Sequence, residues 1–131
     1  MAERPNVQRL REGYDAFSRG DLDALRELLA PDVVWHAGGN NSLTGDYKGL
    51  DEVFGFFGRI LQETGGSFKN EIHDILANDE HGVALVRSTA ERNGKRLHQN
   101  VTHVFHINNE GRPTEFWGFS EDQKALDEFW S

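Results

Sequence analysis

Asn93-Gly94 lies between two long stretches that alternate apolar and polar residues, and it fixes how those stretches meet. Both residues tolerate positive φ, so they suit a two-residue type I′ hairpin. Arg92 then faces Lys95. Counting outward at the period of two, His103 faces Ala84, Val101 faces Val86, Gln99 faces Ser88, and Leu97 faces Ala90. Residues 83–92 and 95–107 read as this hairpin. Residues 68–76 read as a strand before it and 114–119 as a strand after it, so the second half of the chain is an antiparallel meander. Residues 108–111 read as a four-residue turn. That turn puts Ile107 opposite Arg112, His103 beside Phe116, Val101 beside Gly118, and Gln99 beside Ser120. Residues 78–82 form a further turn.

One face of the 95–107 strand is Leu97, Gln99, Val101, His103, Phe105 and Ile107. Its expected neighbours are small: Ala84, Ser88, Ala90, Gly118 and Ser120. A filled core favours bulk at such positions. Small residues on a concave face leave room, and a mainly apolar cavity with a few polar groups is the usual form of a small-molecule site.

The first half reads as helical. Val7, Leu10, Tyr14 and Phe17 recur at helical spacing, with Asn6 as an expected cap and Gly20 as a stop. Asp21 caps a short helix carrying Leu22, Leu25, Leu28 and Leu29, which Pro31 ends. Residues 33–36 read as a short strand. Residues 37–49, rich in Gly and Asn, are long for a structureless loop and read as a lid or a partly structured segment. Val53, Phe54, Phe57, Ile60, Leu61 and Thr64 mark a third helix, stopped by Gly65 and Gly66. Ser120 and Gln123 read as a capping box opening a short C-terminal helix with Leu126, Phe129 and Trp130 on one face. Helices first and a curved sheet second is an α+β pattern, and 131 residues suit one domain, 1–131.

Composition narrows the partners. The net charge is −8, which argues against a nucleic acid, since phosphate binding rests on clustered Lys and Arg. The chain has no cysteine, so disulfides, thiolate zinc sites and Cys nucleophiles are excluded. The six histidines show no HxxxH or HExxH spacing, and no metal site is expected. The polar stretch 1–10 has no apolar signal region, and no apolar run nears the ~18 residues of a membrane span. A cytoplasmic protein without membrane contact is the expectation.

The runs GDLDALRELLAPDVVWHAGGN and TGDYKGLDEVFGFFGRI, with the ending GRPTEFWGFSEDQKALDEFW, resemble the SnoaL-like polyketide cyclase group of the nuclear transport factor 2-like, or ketosteroid isomerase-like, superfamily. The resemblance spans nearly the whole chain. It implies a cone-shaped α+β fold, a mostly antiparallel curved sheet wrapped around three helices, plus a short C-terminal helix. Members of the superfamily include cyclases, isomerases, dehydratases, hydrolases and non-enzymatic scaffolds, so the fold alone does not give the reaction. Matched around GDLD, the general-base carboxylate of ketosteroid isomerases falls at Ala37, and their protonated oxyanion-hole Asp falls at His103. Their oxyanion-hole Tyr falls at Gly13, one position from Tyr14, and the acid–base Asp of the SnoaL cyclases falls at Gly118.

Two readings of function remain open. In the first, the chain is a cofactor-independent isomerase, cyclase, dehydratase or hydrolase acting on a small apolar, polyketide-like or steroid-like molecule. His103 and His36 are its candidate acid–base groups, near neutral pH. In the second, it is a ligand-binding or dimeric assembly module without chemistry. The candidate pocket residues are Gln99, Ser88, Ser120, Val101, Phe116, Tyr14, Phe57 and Trp35. Strand alternation sends either Trp35 or His36 inward. Gln99, Ser88 and Ser120 either orient a ligand oxygen or satisfy one another. The opposite sheet face carries Val83, Leu85, Val104, Trp117 and Phe119, too much apolar surface for water, so a two-fold homodimer packed sheet to sheet is expected.

Overall fold

The computed structural model describes residues 4–131; residues 1–3 of the polar N-terminal stretch lie outside them. Helix α1 (Pro5–Arg19) begins on a proline, whose missing N–H costs nothing in a first turn. Asn6 does not cap it, contrary to the sequence expectation. Its amide instead donates to the Asn78 carbonyl at 2.9 Å, tying α1 to a turn of the sheet. Gly20 ends the helix in the left-handed region at φ 69°. Helix α2 (Leu22–Leu28) is capped by Asp21, which accepts from the Ala24 N–H at 3.1 Å.

Strands β1 (Val34–Ala37) and β2 (Gly45–Lys48) follow, then helix α3 (Leu50–Glu63). Of the two readings of residues 37–49, a lid or a partly structured segment, the second fits, because the segment contains β2. Trp35 pairs with Tyr47 and His36 with Asp46. This pairing covers one edge of β1. The Tyr47 ring packs 4.5 Å from Phe56, and its hydroxyl donates to the Leu43 carbonyl at 2.7 Å. Strands β3 (Lys69–Ala77), β4 (His81–Arg92), β5 (Lys95–Ile107) and β6 (Pro113–Ser120) complete the sheet. Its order is β2-β1-β6-β5-β4-β3, antiparallel throughout except where β1 runs parallel to β6.

The β4–β5 register is the one that Asn93-Gly94 dictates, with His103 opposite Ala84 and Gln99 opposite Ser88. The β5–β6 register differs from expectation by two residues. His103 pairs with Gly118, Phe105 with Phe116, and Val101 with Ser120. The cause is Asn108, whose side-chain oxygen accepts from the N–H groups of Glu110 and Arg112, each at 3.0 Å. Arg112 is thereby held in the turn, and Ile107 pairs with Pro113, which has no N–H to give a ladder. A slip of two leaves each side chain on its expected face.

Helix α4 (Gln123–Phe129) closes the chain. Asp122, and not Ser120, is its cap, accepting from the Ala125 N–H at 3.1 Å. Two apolar clusters hold the fold together. One joins α2, α3, α4 and the residue before β1 through Leu25, Val33, Val53, Phe57 and Phe129, with Trp130 at the end of α4. The other joins α1 to the sheet through Val7, Leu10, Ile75, Ala84, Phe105 and Phe116. Trp35 packs against both. Among the described residues, no helix is long and apolar enough to cross a membrane.

Asn93 and Gly94 have φ of 51° and 76°. Gly94→Ala therefore forces a side chain into the left-handed region, and a loss of about 1 kcal/mol in urea unfolding is expected. An unchanged midpoint contradicts a register fixed by this turn.

Candidate functional site

Residues of both clusters, from the helices and the sheet, line a cavity of about 210 Å³. Its wall includes Tyr14 and Phe17 of α1, Phe57 of α3, Trp35 of β1, and Val101, His103, Phe105 and Phe116 of the sheet. Trp35 is the β1 residue that turns inward. Its ring stacks on Phe116 at 3.8 Å and meets Phe57 edge-on at 5.0 Å.

His103 is the polar centre of this wall. The Tyr14 hydroxyl lies 2.5 Å from its Nδ1. Phe116 meets the imidazole edge-on at 4.8 Å. Burial lowers the His103 pKa to about 4, because a charged ring has lost its water. Burial likewise raises the Tyr14 hydroxyl well above its ordinary value. Both groups are neutral at pH 7, so the hydroxyl donates to Nδ1 and the imidazole keeps its proton on Nε2. No protein group among the described residues meets Nε2. Among the described residues every fully buried side-chain nitrogen and oxygen has a partner, so Nε2 retains accessible surface, and on the inner face that surface is the cavity.

A second polar pair lies further along the same face. Ser88 donates to the Asn70 side-chain oxygen at 2.8 Å, and both residues line the cavity. Nothing in the sequence singles out Asn70. It lies near the start of β3, and only the β3–β4 register puts it opposite Ser88.

The expected cluster of Gln99, Ser88 and Ser120 does not form as one unit. Gln99 is buried, but it is not part of the cavity wall. Its amide donates to the Asp122 carbonyl at 2.9 Å, and its oxygen accepts a short hydrogen bond from the Ser120 hydroxyl. Ser120 lines the cavity yet also accepts from the Asp122 N–H at 3.1 Å. Gln99 and Ser120 thus fasten α4 to the sheet and leave Ser88 to pair with Asn70.

His36, expected at the cavity mouth as a second acid–base group, is used on the other side of the sheet. It borders the cavity, but its ring stacks on Trp117 at 5.2 Å. Its Nδ1–H donates to Asp46 at 2.6 Å and its Nε2–H to Glu115 at 2.7 Å. The Asp46 hydrogen bond, then that to Glu115, raises its pKa. His106 Nδ1 lies 3.4 Å from the second Glu115 oxygen, which extends the network. The reason is alternation: with Trp35 inward, His36 must point outward.

A SnoaL-like domain model matches residues 10–116. The chain belongs to the SnoaL-like family. An uncharacterised protein of Mycobacterium tuberculosis is 31% identical to it over the full length of both chains. The structure of Bal32a, from a soil-derived mobile gene cassette, is 39% identical, covers 96% of each chain and superposes with a TM-score of 0.92. A protein of unknown function with a cystatin-like fold from Xanthomonas campestris is 26% identical, over 98% of this chain and 99% of the other, with a TM-score of 0.90. This SnoaL-like chain keeps the family's nuclear transport factor 2-like architecture. Ala37, Gly13 and Gly118, where the resemblance would put a carboxylate, a tyrosine and an aspartate, all border the cavity beside His103. Tyr14 reaches inward from the next position along. Among the described residues, none that forms this wall is Asp or Glu.

The two histidines should titrate in opposite senses. An NMR titration is expected to find His103 near pH 4 and His36 above the ordinary value of about 6.5. Between pH 6.5 and 4 the unfolded chain binds a proton at residue 103 that the folded chain does not. Acid therefore destabilises the fold across that window, by up to about 3 kcal/mol from this residue. The stability contributed by His36 is full below about 6.5 and fades as pH rises through its raised value. Tyr14→Phe with His103→Phe removes both polar partners together and should flatten the acid limb in denaturation curves. An unchanged limb rules His103 out as its source.

Proposed function

We propose that this SnoaL-like protein takes up a small, uncharged, mainly apolar molecule and hydrogen-bonds one of its oxygens from His103 Nε2. The observation that carries this reading is the neutral Tyr14–His103 pair, with Nε2 unengaged in an otherwise largely apolar cavity. A buried donor gains most by meeting an acceptor that has also left water. The emptied family positions agree with binding by shape, since Ala37, Gly13 and Gly118 give space and no charge.

The second reading, a cofactor-independent isomerase, cyclase, dehydratase or hydrolase, has one observation in its favour. Tyr14 and His103 form a hydrogen-bonded chain that would strengthen as negative charge grew on a ligand oxygen. Against it, an imidazole with a pKa near 4 is a weak base at neutral pH. Among the described residues, no carboxylate lines the cavity to replace it. His36 is engaged outside by Asp46 and Glu115. Binding is therefore the first reading.

Benzylacetone, an aryl-alkyl ketone, and butylbenzene, its hydrocarbon counterpart, test the pair by titration calorimetry. The ketone should lose about tenfold in affinity for the Tyr14→Phe/His103→Phe protein, while butylbenzene binds both proteins alike. Equal ketone affinities would remove the hydrogen bond. Deuterium exchange next to the ketone carbonyl, catalysed by the native chain and lost in the double variant, would move the protein to the second reading.

The outer face of the sheet supports the two-fold homodimer as this chain's own partner. Phe119 is 56% exposed and Leu76 53%. Val83, Val104 and Trp117 form one cross-strand row that Leu76 extends. Covering such a row removes its apolar area from water. Light scattering at micromolar concentration is expected to give twice the chain mass, and Val104→Asp a single chain. A native monomer at that concentration overturns the dimer.

A further inference from the structure

We infer that the ligand of this cavity is an uncharged, elongated molecule of one ring with a chain, or two rings, with a hydrogen-bond acceptor at each end. The inference rests on the pocket reading above and adds the length, polarity and charge of what fits.

Size comes first. A cavity of about 150 Å³ accommodates a benzene ring. The present cavity, at about 210 Å³, adds room for a short chain or a second ring. A fused four-ring framework would have to project beyond it.

Polarity comes next, and it is divided between two places. His103 faces Ala84 across the β4–β5 ladder, and Ser88 lies four residues further along β4, opposite Gln99. At the rise of a strand this is roughly 13 Å of backbone. The row between them is Val86 with Val101, both apolar. The two polar places are thus the ends of one strip with a greasy middle.

Both ends donate. At the first, the Tyr14 hydroxyl occupies Nδ1, and Nε2–H is left for the cavity. At the second, Ser88 donates to the Asn70 side-chain oxygen, which fixes the orientation of the amide. The two N–H groups of Asn70 then meet no protein acceptor among the described residues. As that nitrogen is not a buried group without a partner, it too keeps accessible surface. A ligand that met both ends needs an acceptor at each: a carbonyl, ether or hydroxyl oxygen.

Charge is excluded by what the wall lacks. Among the described residues it has no Asp or Glu, and the buried titratable groups Tyr14 and His103 are neutral. Arg9, at the edge, is exposed and turned to the Glu110 carbonyl at 3.0 Å. An ionised ligand would leave water without a counter-charge, which costs more than the remaining contacts return.

A series of similar size tests this by calorimetry on the full chain. Anisylacetone carries a ketone at one end and an ether at the other. Benzylacetone keeps only the ketone, para-propylanisole only the ether, and methoxyphenylpropanoate replaces the ketone with a carboxylate. Anisylacetone should bind about three- to tenfold more tightly than either single-acceptor compound, and the carboxylate at least tenfold more weakly than anisylacetone. In the Asn70→Leu/Ser88→Ala protein, anisylacetone should fall to the affinity of benzylacetone, which itself stays unchanged. If anisylacetone has no advantage in the native chain, the second end is wrong while the single-oxygen reading stands. If the carboxylate binds as well as the ketone, the exclusion of charge fails. If none of the neutral compounds binds, both the two-ended ligand and the pocket reading fall together.

Discussion

A neutral imidazole stays buried beneath a helix only while something satisfies it. Here the Tyr14 hydroxyl does so, at 2.5 Å, across 89 residues of chain. The hydrogen bond joins α1 to the middle of β5, and Leu10 and Val7 pack on the same side of the sheet. Losing the tyrosine partner would leave an unmet acceptor in an apolar wall, which costs more than the bond itself gains. The same bond sets the chemistry of the cavity. It consumes Nδ1, fixes the imidazole tautomer, and leaves a single N–H facing the space between the clusters.

His36 shows how little separates a cavity group from an outer-face group. It lies next to Trp35, and the pleat alone sends the two side chains to opposite faces. On the outer face it gains two carboxylates, Asp46 from the paired edge strand and Glu115 from the parallel neighbour. His103 gains only a hydroxyl and aromatic edges. One ring is driven towards its charged form and the other away from it, although the residues are chemically identical. The Trp117 ring, with His36 on one side and His106 4.8 Å away, joins this charged network to the apolar row of the outer sheet.

What can be read in the sequence depends on how local its cause is. The β4–β5 register follows from two adjacent residues, Asn93 and Gly94, and the inner face of β5 is legible from it. The β5–β6 register is not, because it depends on the Asn108 side chain capturing two backbone N–H groups within its own turn. The strand Gly45–Lys48 has too little apolar content to stand out, and it forms because the β1 edge needs a partner. Tyr14 and His103 are each visible as candidates, but their bond is set by how α1 crosses the sheet. Asn70 carries no signal of its own, since its role comes from the β3–β4 pairing. Alternation puts Gln99 on the correct face, yet it does not reveal that the residue serves α4, whose cap lies over it and takes its amide.

The family comparison gains meaning from what surrounds His103. Where the resemblance would put carboxylates, this chain has Ala37 and Gly118, and both still border the cavity. A β-carbon built at Gly118 would sit 3.5 Å from the Phe116 ring and 3.8 Å from the His103 ring, an ordinary contact, so an alanine would fit. An aspartate there would place a charge against two rings, at a cost that burial makes large. With glycine at that position, the imidazole stands beside an aromatic edge and open space. Such a wall can hold a neutral oxygen through a fixed donor, and its selectivity follows from where the donors stand along the strip.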